Sequence, residues 1–361
     1  AALYGLDLEM GSYTNGLTSE SEFTTDDYYL ANPYLAMLEK GEVPVSGLDD
    51  KVRRLLRLNF RTAANRQKPY GSVATPEHYA VAEEIGNEGI VLLKNAPVAK
   101  KQPALLPIDA DRYGKILVVG ENATRNLMAG GGSSELKPKD IVTPLDGLRN
   151  LYGDKIEYTQ GYMSGRPMYG HADVIAPEVT DSLRAKAVEM AREAGLVIFV
   201  GGLNKNHFQD CEGGDRQEYG LPFGQPALID ELAAVNPNLV VVLLSGNAVE
   251  MPWEKKVPAI VQGWYLGSMA GKSIANVLSG KVNPSGKLPF SFPARLEDNG
   301  AHHFGAISYP GDSIRQEYLE DVLVGYRWHD TKKIPALYPF GHGLSYTSFT
   351  YGKPVASAKT I

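Results

Sequence analysis

Glu212 lies in the stretch Gly201 to Gln225, GGLNKNHFQDCEGGDRQEYGLPFGQ, flanked by Gly213 and Gly214 and followed at once by Asp215 and Arg216. The stretch comes after an apolar run that reads as a buried strand, so it occupies the strand's C-terminal end, where open α/β sheets place their ligands. A carboxyl group on such a loop can swing into a cleft and give up or receive a proton. Burial against a sugar would raise its pKa, as general acid catalysis of glycosidic cleavage requires. The competing reading is a solvated acidic loop in which Asp215 and Arg216 form a surface ion pair. Composition leaves both readings open.

Gly130 to Ser134, GGGSS, also follows a strand. It lacks the Lys-Ser/Thr ending of a P-loop, and no G-x-G-x-x-G follows Gly120. It reads as a tight backbone loop bordering a ligand cleft, or as a plain flexible turn. His302 and His303 are adjacent, so on a strand they would face opposite ways, and His171, His207, His329 and His342 are scattered. No metal-ligand spacing emerges from them, and no cofactor is expected. Ser245, in LLSGN, lacks the G-x-S-x-G elbow of a hydrolase nucleophile. Trp253, Trp264 and Trp328 could stack on sugar rings, but core packing is the expectation for each. Cys211 sits next to Glu212, with nothing to mark a catalytic thiol.

The elements that must carry these residues are legible from Lys115 onward. Ile116 to Val119, Leu196 to Val200, Leu239 to Leu244 and Ala259 to Gln262 are short Val- and Ile-rich runs suited to strands covered on both faces. Helical patterns over Ser182 to Ala194, Gln225 to Val235 and Gly267 to Leu278 alternate with them. This alternation predicts an α/β sandwich with a mostly parallel sheet. Thr75 and Pro76 provide a cap and first turn for a helix through Asn87.

Earlier in the chain, Leu6 to Met10 reads as a short buried strand and Gly11 to Thr25 as a polar loop. A helix is expected over Tyr28 to Lys40, ended by Gly41 and Pro44. A second starts from an N-cap at Ser46, with Leu48, Val52, Leu55, Leu56 and Phe60 as its apolar stripe and Arg53, Arg54 and Arg57 outside. Arg61 to Ser72, with Pro69 and Gly71, reads as a linker. A strand and two helices are too few for a domain. The start at Ala1 also has neither the basic lead nor the cleavage site of a signal peptide, so the natural protein is expected to begin upstream.

The chain has 361 residues, 43% hydrophobic and 22% charged, with 36 Lys and Arg against 42 Asp and Glu. The resulting net charge of −6 argues against a nucleic-acid partner. A single cysteine rules out an intramolecular disulfide. No apolar run is long enough to span a membrane. The lone cysteine fits a reducing compartment and equally an exported protein, so a start upstream of Ala1 leaves a periplasmic or secreted location open.

Taken in order, the motifs resemble glycoside hydrolase family 3 of the bacterial β-glucosidase type. NEGIVLLKN (Asn87 to Asn95) and LLPI (Leu105 to Ile108) look like the opening of that family's α/β sandwich domain. GGGSS resembles its glycine-rich loop, and EGGDR with LPFGQ (Glu212 to Arg216, Leu221 to Gln225) its acid/base loop. PSGKLPFSFP (Pro284 to Pro293), VGYRWHD (Val324 to Asp330) and PFGHGLSYTSFTY (Pro339 to Tyr351) are similar to its later landmarks, and GLDLEMG (Gly5 to Gly11) to the last strand of its preceding (β/α)8 barrel.

The resemblance implies four parts: residues 1–60 as the end of a barrel, 61–74 as a linker, 75–335 as the sandwich, and 336–361 as the lead-in to a fibronectin III-like domain. It implies a retaining, exo-acting β-glucosidase acting on β-linked gluco-oligosaccharides or aryl glucosides, with Glu212 as general acid/base. Gly131, Gly132, Ser133, Asp215 and Arg216 are then the expected substrate contacts. The family's nucleophile lies in a Ser-Asp-Trp segment ahead of the motif matched by GLDLEMG, and these residues contain no such segment. The barrel portion is therefore the expected partner, and this polypeptide alone is expected not to form the covalent intermediate. A β-xylosidase is the substrate alternative. A non-catalytic sugar-binding or scaffold lobe is the alternative from another class.

Overall fold

A computed structural model describes residues 2–9, 28–62, 71–127, 130–166, 172–206, 208–214, 216–312, 314–356 and 358. The chain forms two compact units, Ala1–Val73 and Ala74–Ile361.

In the first unit, helix α1 (Asn32–Glu39) has a proline in its first turn, and α2 (Val45–Arg61) starts after Pro44. Ser46 is thus inside α2 and does not cap it. The extended Pro44 presets the entry instead, although it makes no side-chain capping bond. Residues 6–9 form no regular strand, and Leu8 is exposed. Alternating apolar residues give a strand only where a neighbour takes up the backbone groups, and no described residue pairs with this segment. It is held by side chains instead: Asp7 accepts two hydrogen bonds from Arg54, at 2.6 and 2.7 Å, and Lys51 donates to the Leu6 carbonyl at 2.7 Å. Met10 and the polar loop after it lie outside the described residues, as does most of the linker. The predicted apolar stripe of α2 is open among the described residues, with Leu48, Val52, Leu56 and Phe60 all exposed.

The second unit carries the sandwich. Its elements in order are α3 (Pro76–Gly89), β1 (Val91–Asn95), β2 (Ile116–Val119), α4 (Pro144–Tyr152), β3 (Ile156–Thr159), α5 (Pro177–Glu193), β4 (Leu196–Gly202), α6 (Gln225–Val235), β5 (Leu239–Leu244), β6 (Ala259–Gln262), α7 (Ala270–Leu278), β7 (Phe292–Pro293), α8 (Gly300–His303), α9 (Tyr326–Lys332) and β8 (Ala336–Tyr338). Six strands form one sheet in the order β1-β6-β5-β4-β2-β3, with β1 antiparallel and the others parallel. Alternate residues along each strand face opposite sides. On one side Val197, Phe199, Val241 and Leu243 pack with Ala187 and Ala191 of α5 and Leu228 and Leu232 of α6. On the other, Val118, Ile198, Val240 and Val242 pack with Leu148 of α4 and Ile274 and Val277 of α7. Burial on both faces is why these strands are continuous apolar runs.

Thr75 caps α3 as expected, with its hydroxyl accepting from the His78 N–H and the His78 ring accepting from the Thr75 N–H. Thr143 and Asp146 make the equivalent pair at α4. That Thr-Pro-x-Asp signature was readable, but α4 is absent from the sequence-based assignment. So is β3, a sheet-edge strand whose Glu157 and Tyr158 are only partly buried. Beyond β8, Leu344 donates to the Leu92 carbonyl at 2.8 Å and the Tyr346 hydroxyl to the Val277 carbonyl at 2.8 Å. The chain from β8 to Tyr346 therefore continues to pack on the sandwich, and Leu344 meets the β1 edge.

Candidate active site

Strand order reverses between β2 and β4. The chain leaves β2 for the edge strand β3, then crosses back to β4 on the opposite side of β2. Such a reversal opens a crevice at the carboxyl ends of the two strands, and both candidate loops start there. The glycine-rich loop follows β2, and the Glu212 loop follows β4.

The exit from β4 is sharply defined. Gly202 has φ 128°, and a Cβ there would lie 2.0 Å from the Leu244 carbonyl oxygen. The fully buried Gln225 amide clamps the same residue, accepting the Gly202 N–H at 2.8 Å and donating to the Gly202 carbonyl at 2.8 Å. This gives the LPFGQ motif a physical role, since its glutamine ties the start of α6 to the mouth of the Glu212 loop.

The two loops then run side by side. Gly131 donates its N–H to the Asp210 carbonyl at 2.9 Å, and Glu212 donates its N–H to the Gly131 carbonyl at 3.0 Å. The Glu212 carboxylate accepts the Ser133 N–H at 2.6 Å and also the Ser133 hydroxyl. Gly132, at φ 105°, has no room for a side chain, because a Cβ would lie 2.4 Å from that of Glu212. An ion pair between Lys205 and Glu135 adds a further tie between the loops.

The structure thus brings Gly131, Gly132 and Ser133 to Glu212. Arg216 goes elsewhere. It donates to the Ala248 carbonyl at 2.9 Å and lines a cleft of about 380 Å³ with Tyr219, Phe290, His302 and Tyr309, a cleft whose wall does not include Glu212. Asp215 lies outside the described residues.

Glu212 is exposed, and the two Ser133 hydrogen bonds hold its carboxyl below the ordinary carboxylate range, against a smaller opposing effect of burial. Hydrogen bonds donated to a carboxylate favour its charged form. In this state Glu212 is an anion at neutral pH, and protonating it requires some other change in its surroundings. Ser133→Ala removes the hydroxyl donor, so the Glu212 titration midpoint should rise toward the usual glutamate value. Carboxyl carbon shifts followed against pH by NMR would show this, and an unchanged midpoint would mean that Ser133 does not set the charge.

Under the loops lies a polar base that the sequence reading did not single out. Glu121, 1% exposed, sits just past β2 and pairs with Arg125. It also accepts the Ser164 N–H at 2.8 Å, the Ser164 hydroxyl and the Gln160 amide at 3.2 Å. Asn204 donates to the Ser164 hydroxyl at 3.0 Å, and Asn206 to the Ser164 carbonyl at 3.1 Å. The segment after β3 is thereby locked to the root of the Glu212 loop. The only sequence signal was a charged residue set directly against an apolar run, in VVGEN.

The remaining candidates have structural roles. Ser245 donates to the Asn247 carbonyl at 2.7 Å and takes a bond from Gln262. Cys211 is buried beneath the loop. His302 and His303 are on the short helix α8, not a strand, and their rings pack on Tyr309 and Trp328. Trp253 and Trp328 are buried, and Trp264 donates to the Gly89 carbonyl at 3.0 Å. His171 and His207 lie outside the described residues. Among the described residues, no group of three or more His, Cys, Asp or Glu is placed to hold a metal, and no helix is long and apolar enough to cross a membrane.

The family model described as glycosyl hydrolase family 3 C-terminal domain matches residues 90–346. Beta-glucosidase BoGH3A of Bacteroides ovatus is 65% identical over 361 residues, which is 100% of this chain and 48% of that protein. Thermostable beta-glucosidase B of Acetivibrio thermocellus is 32% identical across 99% of this chain and 42% of its own length. The chain therefore spans about half the length of the curated relatives it matches. Among solved structures, DesR, a β-glucosidase from Streptomyces venezuelae in complex with D-glucose, superposes with a TM-score of 0.79 at 26% identity, covering 97% of this chain and 56% of that one.

Proposed function

Because this chain belongs to glycosyl hydrolase family 3, we propose that it supplies the acid/base half of a retaining, exo-acting β-glucosidase, with Glu212 as the proton donor and acceptor. One observation carries the reading: at the reversal between β2 and β4, the Glu212 carboxylate is pinned to the glycine-rich loop by Ser133. The assignment of residues 1–60 to the end of a barrel, of 61–74 to a linker and of the chain after 335 to the approach to a further domain belongs to the same proposal. The barrel brings the nucleophilic carboxylate.

In the first step that carboxylate attacks the anomeric carbon while Glu212 protonates the departing glycosidic oxygen. In the second, Glu212 takes a proton from water, which attacks the glycosyl-enzyme. The two carboxyls must stand roughly 5–5.5 Å apart for this. The lowered pKa of the uncovered Glu212 keeps it ionised, as the second step needs. The first requires a protonated carboxyl, which is favoured when sugar and barrel exclude water and the nucleophile's negative charge stands close by. Once the nucleophile is consumed in the covalent bond, that charge is gone and Glu212 can revert to a base. Gly131, Gly132 and Ser133 would border the sugar, and Arg216 would act from the neighbouring cleft.

The test is the configuration of the first-formed sugar. The whole enzyme, barrel included, should release β-glucose from an aryl β-glucoside, with α-glucose appearing later by mutarotation in the proton NMR spectrum. Initial α-glucose would overturn the retaining reading.

A further inference from the structure

We propose that Asp210 is the positioning residue for the acid/base Glu212, holding its loop to the ends of three neighbouring strands, an inference that rests on the role assigned to Glu212 above. Asp210 precedes Glu212 by two residues on the strip that pairs with Gly131. One carboxylate oxygen accepts the Gly246 N–H at 2.7 Å and the Tyr265 hydroxyl at 2.8 Å. Gly246 follows β5, and Tyr265 follows β6. Through its backbone, Asp210 donates to the Asn204 carbonyl at 2.9 Å, just beyond β4, and accepts from Gly131 at 2.9 Å. A single residue thus anchors the loop to the outlets of β4, β5 and β6 and to the glycine-rich strip.

The anchor is stiff for physical reasons. Burial, with the Asp210 charge adding to it, keeps the Tyr265 phenol far above its ordinary pKa, so the phenol remains a donor. Hydrogen bonds to a charged acceptor are shorter and stronger than neutral ones. Glu212 itself is exposed and, among the described residues, has only Ser133 on its carboxylate. Its placement therefore depends on the loop beneath it, and a displacement of about 1 Å in a reacting group can cost about 10²-fold in rate.

The experiment compares kcat/KM of the whole enzyme on two aryl β-glucosides. A dinitrophenyl glucoside has a leaving oxygen that needs no proton, whereas a methoxyphenyl glucoside depends on the acid. Asp210→Ala should lose about 10²-fold on the second substrate and little on the first. Asp210→Asn keeps an oxygen able to accept both bonds and should recover most of that loss. Glu212→Ala serves as the reference. If it shows no dependence on the leaving group, the acid/base reading fails and the inference falls with it. If Glu212→Ala shows the dependence while Asp210→Ala loses equally on both substrates, or on neither, Asp210 has no positioning role and the reading of Glu212 stands. Should Asp210→Ala not fold, Tyr265→Phe removes one donor and leaves the Gly246 bond. A several-fold loss confined to the methoxyphenyl substrate would support the proposal, and an equal loss on both substrates or none would overturn it.

Discussion

Glu212→Gln in the whole enzyme should lower kcat/KM on substrates with poor leaving groups by 10²–10⁴-fold, the range for losing a general acid. Glutamine keeps the length and shape of the side chain, and its amide oxygen can still accept from Ser133. The carboxyl proton is what disappears. Because Glu212 is exposed and, among the described residues, its hydrogen bonds stay within the loop pair, the variant should fold as the parent does. Its turnover should be partly restored by azide, a small anionic nucleophile that attacks the covalent intermediate without needing a base, and the product should be β-glucosyl azide. Azide rescue of turnover is what separates a lost base from a misfolded site. A variant that hydrolyses the methoxyphenyl substrate at near-parental rate would remove Glu212 from the mechanism. So would one that shows the deficit but no response to azide on an activated substrate.

The second large effect is on folding. Gly202→Ala should destabilise the sandwich by on the order of 3 kcal/mol, combining backbone strain of about 1–3 kcal/mol with overpacking of about 1–3 kcal/mol. Nothing in the surroundings can yield cheaply. The added carbon would meet the Leu244 carbonyl oxygen at 2.0 Å and its carbon at 2.7 Å, both backbone atoms of the adjacent central strand. Moving β4 away from β5 would break their ladder and the Gln225 clamp together. A fall in the urea midpoint at unchanged slope would report this. The same displacement would pass directly into the Glu212 loop, so activity should fall as well. A midpoint matching the parent's would show that the strand exit tolerates a side chain.

Both effects involve residues whose types were visible in the sequence but whose partners were not. The sequence puts Glu212 on a loop beyond a strand because Leu196 to Val200 is an unbroken apolar run and Gly213 and Gly214 flank the carboxyl. Ser133 was singled out as part of a glycine-rich loop, yet its bond to Glu212 joins residues 79 apart in sequence. Asp210, Tyr265 and Ser164 carry no local signal, and Glu121 carries only its place against an apolar run. Their types are ordinary for a loop, and only their meeting at the reversal between β2 and β4 makes them a site. The α2 stripe shows the limit from the other side. Periodicity marks an apolar face on α2, yet Leu48, Val52, Leu56 and Phe60 are exposed and Lys51 is the buried residue of the helix.

The amino-acid sequence by itself determined the four central parallel strands, most of the sandwich helices and the Thr75 cap. These depend on interactions within a few residues, or on the need to bury both faces of a strand. The order β1-β6-β5-β4-β2-β3, the Gln225 clamp, the downward pKa shift of Glu212 and the anchoring of its loop were decided only by the tertiary structure. Strand order and loop contacts depend on which distant segments meet, and a carboxyl's charge depends on the donors that then surround it. Neither quantity is a property of the local chain.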